Sequence, residues 1–192
     1  MSFLQVIEIL SVIFSLLYLF LLMKENIWCW LFGILSSALS IYLFIDAKLY
    51  AEAILYLYYV GIGFYGWYIW RSASTNGTAL AISRYSAKTH LFLLSIGVAL
   101  SLSLGYFFST QTDAEHSYID SHTTIFSFIA SYLEAHKILG GWLYWIVINA
   151  VSVILYFERG LQIYAALMVV YFGLSVVAYF SWRKKHERGL MV

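Results

Sequence analysis

The chain predicts an all-α integral membrane protein with seven transmembrane helices in a 3+1+3 arrangement, and three observations predict it. Of 192 residues, 62% are hydrophobic, 20% aromatic and only 11% charged, where a soluble domain of ordinary composition has about 25% charged residues. Apolar runs of the roughly 20 residues that a bilayer-crossing helix needs recur along the whole sequence. The two ends of the chain also carry matching patterns of tryptophan and tyrosine, the mark of an internal repeat.

This balance excludes a water-soluble enzyme. The net charge of +1 comes from scattered basic residues, which form no concentrated face for nucleic acid. Cys29 stands alone, so neither an intramolecular disulfide nor a cysteine-based metal site can form. Proline is absent, and any bending must use glycine or serine.

The first span is read at Phe3–Met23, closed by Lys24 and Glu25; without a basic leader or a small-residue cleavage site it is a retained helix, not a signal peptide. The second runs over Ile27–Ile45 and the third over Leu49–Trp70, ending at Arg71. The fourth, Thr89–Ser109, carries Ser95, Gly97, Ser101, Ser103 and Gly105 and serves as a linker between two halves. The fifth, Ile119–Lys137, is the least apolar, with His122, Thr123, Thr124, Ser127, Ser131 and Glu134. The sixth is Trp142–Phe157 and the seventh Leu161–Trp182. The domain plan is a first three-helix repeat at 1–70, a cytoplasmic loop and linker helix at 71–117, a second repeat at 118–182 and a basic cytoplasmic tail at 183–192.

Basic residues set the orientation. Lys24, Arg71, Arg84, Lys88, Lys137, Arg183, Lys184, Lys185 and Arg188 fall on the side reached after odd-numbered spans, and only Lys48 and Arg159 on the other. The positive-inside bias places the carboxyl terminus in the cytoplasm and the amino terminus outside. Asp113, Glu115 and Asp120 then face outward.

Sliding the chain on itself by 114 to 115 positions lays Trp28 on Trp142, Trp30 on Trp145, Tyr42 on Tyr156, Tyr50 on Tyr164 and Trp67 on Trp182. Four crossings separate the start of the two three-helix units, so the repeats are parallel, with a pseudo-axis along the membrane normal. Transporters use such halves to enclose a site near the midplane.

Residues three or four apart share a helical face. Trp142, Trp145, Asn149, Ser152 and Tyr156 form one such stripe, Tyr56, Tyr59, Gly63, Trp67 and Trp70 a second, and Asn26, Trp30, Gly33, Ser37 and Ser40 a third. Interfacial belts and close helix packing account for Trp28, Trp67, Trp70, Trp182 and most of the tyrosines. Trp145 and Asn149 stand apart, because an amide halfway through a span needs a hydrogen-bond partner. The candidate substrate-binding residues are Trp142, Trp145, Asn149, Trp30, Asn26, Tyr56 and Tyr59. Glu8, Glu52 and Glu134 lie within about two turns of a span end and read as solvated or hydrogen-bonded rim residues. No Asp, Glu, Lys or Arg occupies the middle of a span, which argues against proton coupling. No metal-ligand spacing, catalytic motif or cofactor motif is present, so the chain is read as a non-enzyme without a cofactor.

With Trp142-Leu143-Tyr144-Trp145 followed by Asn149, Asn26-Ile27-Trp28-Cys29-Trp30 with Gly33, and Tyr65-Gly66-Trp67-Tyr68-Ile69-Trp70, the sequence resembles the PnuC family of bacterial vitamin-precursor transporters, relatives in fold of the SWEET sugar transporters. The resemblance covers nearly the whole chain. It implies a 3+1+3 helix arrangement, a homotrimer in the bacterial inner membrane, and import of nicotinamide riboside by facilitated diffusion. It further implies that Trp142 and Trp145 stack on the vitamin ring and that Asn149 contacts the sugar. Members that take nicotinamide riboside tend to carry a Leu-Gln pair where this chain has Leu55-Tyr56, which leaves thiamine or another nucleoside-like vitamin as an alternative substrate. A non-transporting membrane receptor is the alternative of another class. A permanently cationic aromatic ring suits a pocket of Trp and Tyr without a carboxylate, by stacking and cation–π attraction of about 0.5–2 kcal/mol. Uncoupled uptake then needs a sink, supplied by a cytosolic kinase that traps the vitamin as an anion.

Overall fold

The computed structural model describes residues 3–46, 50–75, 77, 79–112, 116–158 and 162–189. Expectations that fell on Lys48, Leu49, Asp113, Glu115, Arg159 and Leu161, on the side chain of Glu52, and on 190–192 lie outside what is described. Seven α-helices occur among the described residues: α1 Phe3–Met23, α2 Trp28–Asp46, α3 Tyr50–Thr75, α4 Ala87–Gln111, α5 Ser117–Ala135, α6 Gly141–Glu158 and α7 Gln162–Gly189. Five of them, α1, α2, α4, α6 and α7, are long and apolar enough to cross a membrane. The other two dilute their apolar content, α3 with tyrosine and α5 with serine and threonine.

The chain divides into two units, Met1–Leu80 and Ala81–Val192. In the first, α2 packs against both α1 and α3. Its joints are specific: the Ser36 hydroxyl donates to the Ser11 carbonyl at 2.8 Å, Gly33 meets the Tyr18 ring and Gly63 meets Ile34. In the second unit, α4 packs on α5, α5 on α6 and α6 on α7. The small residues Gly97, Ser101 and Gly105 of α4 are buried; a Cβ on Gly97 would sit 2.8 Å from Phe126, and one on Gly105 would sit 3.0 Å from the Tyr118 Cα. Small residues at this spacing let helices approach closely.

The turn between α1 and α2 and the turn between α5 and α6 are built alike. Glu25 and Lys137, 112 residues apart, both adopt left-handed backbone conformations, with φ of 57° and 51°. In the first turn the Asn26 N–H donates to the Leu21 carbonyl and Glu25 to Leu22; in the second Ile138 donates to Leu133 and Lys137 to Glu134. This is the hydrogen-bond pattern of a Schellman helix stop. The spacing corrects the register read from the tryptophans: Trp142 corresponds to Trp30 and Trp182 to Trp70, not to Trp28 and Trp67.

One other expectation narrows: Glu134 is only 2% exposed, which removes the solvated alternative and keeps the hydrogen-bonded one. The turn after it is covered. The segment 81–86 lies over that turn: the Ser83 N–H donates to the Lys137 carbonyl at 3.0 Å and the Leu139 N–H to the Ser83 carbonyl at 2.9 Å. His186 Nδ1 bonds the Ile82 carbonyl at 2.7 Å. The seventh helix runs past its expected end at Trp182 on to Gly189. Nothing in Arg183–Gly189 breaks the helix, and Arg183 Nε donates to Glu187 Oε1 one turn on at 2.9 Å. That bond holds the exposed Glu187 carboxyl below its usual range.

Candidate functional site

The seven candidate residues divide between the two units, Asn26, Trp30, Tyr56 and Tyr59 in the first and Trp142, Trp145 and Asn149 in the second. Asn26 is exposed and acts locally, since its side-chain oxygen accepts from the Trp28 N–H at 3.0 Å and so satisfies one of the free donors at the start of α2. Trp30 is 1% exposed. Its ring is held edge to face against Trp70 at 5.5 Å, tilted on Tyr18 at 6.0 Å, and seated over Gly66, where a Cβ would collide with the ring. Tyr56 packs on Phe44 at 5.1 Å and on Tyr59 at 5.5 Å. The structure thus brings Tyr56 and Tyr59 together in one aromatic group.

In the second unit α6 carries the stripe. Trp142 is fully buried and meets Trp182 edge to face, centroids 5.3 Å apart at 88°. Trp145 is half-buried, with an enclosed indole N–H that has no hydrogen-bond partner. One turn further, Asn149 is 5% exposed and its amide Nδ2 donates to the Ser175 hydroxyl oxygen on α7 at 3.2 Å. The indole N–H groups of Trp30 and Trp142 are also without partners. A buried unpaired donor costs about 1–3 kcal/mol, so a molecule offering an acceptor next to Trp145 would relieve that cost.

The sequence reading missed Ser175, Tyr18 and Phe44. Ser175 had a signal in hand, as a polar residue in the apolar run 165–180 of α7. Among the described residues no group of His, Cys, Asp and Glu is arranged to hold a metal ion.

This arrangement can grip a flat aromatic molecule that also carries hydrogen-bonding groups, and it contains no paired nucleophile and base. The model of the nicotinamide mononucleotide transporter family matches residues 5–184. The chain belongs to that family. Among curated members it is similar to the nicotinamide riboside transporter PnuC of Escherichia coli strain K12, at 26% identity over 90% of this chain and 81% of that protein. A nicotinamide riboside transporter PnuC of Neisseria mucosa is 27% identical over 86% of this chain and 67% of its own length. The crystal structure of the vitamin B3 transporter PnuC superposes with a TM-score of 0.74 at 25% identity, covering 93% of this chain and 81% of that one. As a member of the family the chain is a multi-pass membrane transporter, not an enzyme, and its substrate is a small molecule.

Proposed function

We propose that this transporter carries nicotinamide riboside into the cytoplasm by facilitated diffusion. The observation that carries the reading is the enclosed, unpartnered Trp145 indole N–H one turn from the Asn149 amide, in a chain whose relatives bear that substrate's name. The pyridinium ring stacks on Trp145, the sugar meets Asn149, and Trp142, locked against Trp182, fixes the face on which both stand. Within the first unit, Tyr56 and Tyr59 form an aromatic group of their own, Trp30 is packed against Trp70, and Asn26 sets the start of α2. The seven helices cross the membrane as two parallel three-helix repeats, 1–70 and 118–182, joined by the segment 71–117. The recurrence of the helix-stop turns and tryptophan pairs 112 residues apart supports that plan.

The riboside is favoured over its phosphate ester by charge. A phosphate dianion at the midplane needs a cationic partner, and no Lys or Arg lies near the middle of any helix. The absence of Asp, Glu, Lys and Arg from the middle of the helices supports uncoupled carriage. Net uptake then depends on a cytosolic kinase that phosphorylates the vitamin, with the carboxyl terminus inside, the amino terminus outside, and the chain set in the bacterial inner membrane as a homotrimer. Tyr56, standing where a glutamine is usual, supports a second reading as a carrier of thiamine or another nucleoside-like vitamin.

Counterflow in proteoliposomes tests the proposal. Vesicles preloaded with unlabelled nicotinamide riboside should transiently accumulate the labelled compound, with no effect of an imposed proton or sodium gradient. Saturable binding without exchange would mean a receptor, and accumulation sustained by the ion gradient would mean a coupled pump.

A further inference from the structure

The two units serve as each other's control. The α2–α3 and α6–α7 corners both carry an edge-to-face tryptophan pair, Trp30 with Trp70 and Trp142 with Trp182. Seven residues into α6 from Trp142 is Asn149, and seven residues back along α7 from Trp182 is Ser175; these two are bonded at 3.2 Å and both are buried. The same steps in the first unit, from Trp30 and Trp70, reach Ser37 and Gly63. Gly63 has no side chain to receive an amide, and a Cβ there would stand 2.6 Å from Ile34. The first corner is therefore built without the polar pair, and the pair is not required to build such a corner.

We propose that Ser175 is a positioning residue for substrate binding, which rests on the reading of Asn149 as a substrate contact. An asparagine amide has one accepting oxygen and two N–H donors, and left unheld it can rotate. By accepting from Nδ2, the Ser175 hydroxyl fixes the amide plane and directs the Asn149 carbonyl oxygen away from α7. A sugar hydroxyl of the substrate donates to that oxygen. Ser175 touches Asn149 and does not touch the substrate.

The test installs the first unit's own residues in the second. Ser175→Gly, Asn149→Ser and the double variant are purified, and nicotinamide riboside affinity is measured alongside thermal unfolding. Ser175→Gly should weaken binding about tenfold, the scale of one mis-set hydrogen bond, and should have no further effect on top of Asn149→Ser. Ser175→Thr, which keeps the accepting hydroxyl, should restore most of the affinity. If Asn149→Ser weakens binding and Ser175→Gly does not, or if the two losses multiply independently, the positioning role is overturned while the site stands. If Asn149→Ser leaves affinity unchanged, the reading of the site falls and the inference with it.

Discussion

Trp142 and Trp182 meet edge to face with centroids 5.3 Å apart at 88°, and the geometry nearly repeats in Trp30 and Trp70 at 5.5 Å and 86°. Trp30 and Trp142 stand in the first turn of α2 and of α6, and Trp70 and Trp182 stand late in α3 and in α7. Both Trp142 and Trp182 are 0% exposed, so this contact fastens two antiparallel helices at one end. Edge-to-face pairs add about 0.5–1.5 kcal/mol beyond the area they bury. Trp182→Ala should cost about 3–5 kcal/mol, the range for removing a large buried aromatic side chain, read as a lowered unfolding temperature in detergent. Trp145→Phe should leave that temperature within a few degrees, because Trp145 is only half-buried.

Glycines divide into two groups by what surrounds them. Gly66 lies under the Trp30 ring, while Gly61 and Gly173, themselves 112 residues apart, face open space. Gly66→Ala should destabilise the protein by about 1–3 kcal/mol, as overpacking does. Gly61→Ala and Gly173→Ala should fold normally. If either open glycine is a hinge between outward- and inward-facing states, its alanine variant will keep substrate affinity and lose counterflow, and full counterflow in both variants would assign the motion to rigid helices.

The left-handed residues that end α1 and α5 predict a gain. Glu25 and Lys137 hold φ of 57° and 51°, a conformation that costs a non-glycine residue about 1–2 kcal/mol. Glu25→Gly should raise the unfolding temperature, by up to that free energy less the entropy that glycine adds to the unfolded chain. An unchanged or lower temperature would mean that other Glu25 interactions outweigh the strain.

Much of this fold was legible in hydropathy alone. The predicted Phe3–Met23 is the observed α1, and Trp142–Phe157 misses α6 by one residue at each end. Which tryptophans occupy like places was not legible, because Trp28 and Trp30 look alike in sequence and differ only once packed: Trp28 is 53% exposed and Trp30 1%. The α7 extension was hidden because a run of charged residues past a span reads as a tail until Arg183 and Glu187 are seen to pair. The bridge from Ser83 to the α5–α6 turn uses backbone groups, which no side-chain pattern discloses. At the candidate site, Trp145 and Asn149 were found by spacing, whereas Ser175 needed a contact between positions 26 residues apart.

Transport of an aromatic vitamin through this site is tested most directly by titrating nicotinamide riboside into the purified protein and following tryptophan fluorescence in wild type, Trp145→Phe and Asn149→Ala. Saturable quenching is expected in the wild type, with at least about tenfold weaker binding in each variant, a loss of about 1.4 kcal/mol or more. Equal affinity in all three proteins would contradict the assignment of Trp145 and Asn149 to the substrate site.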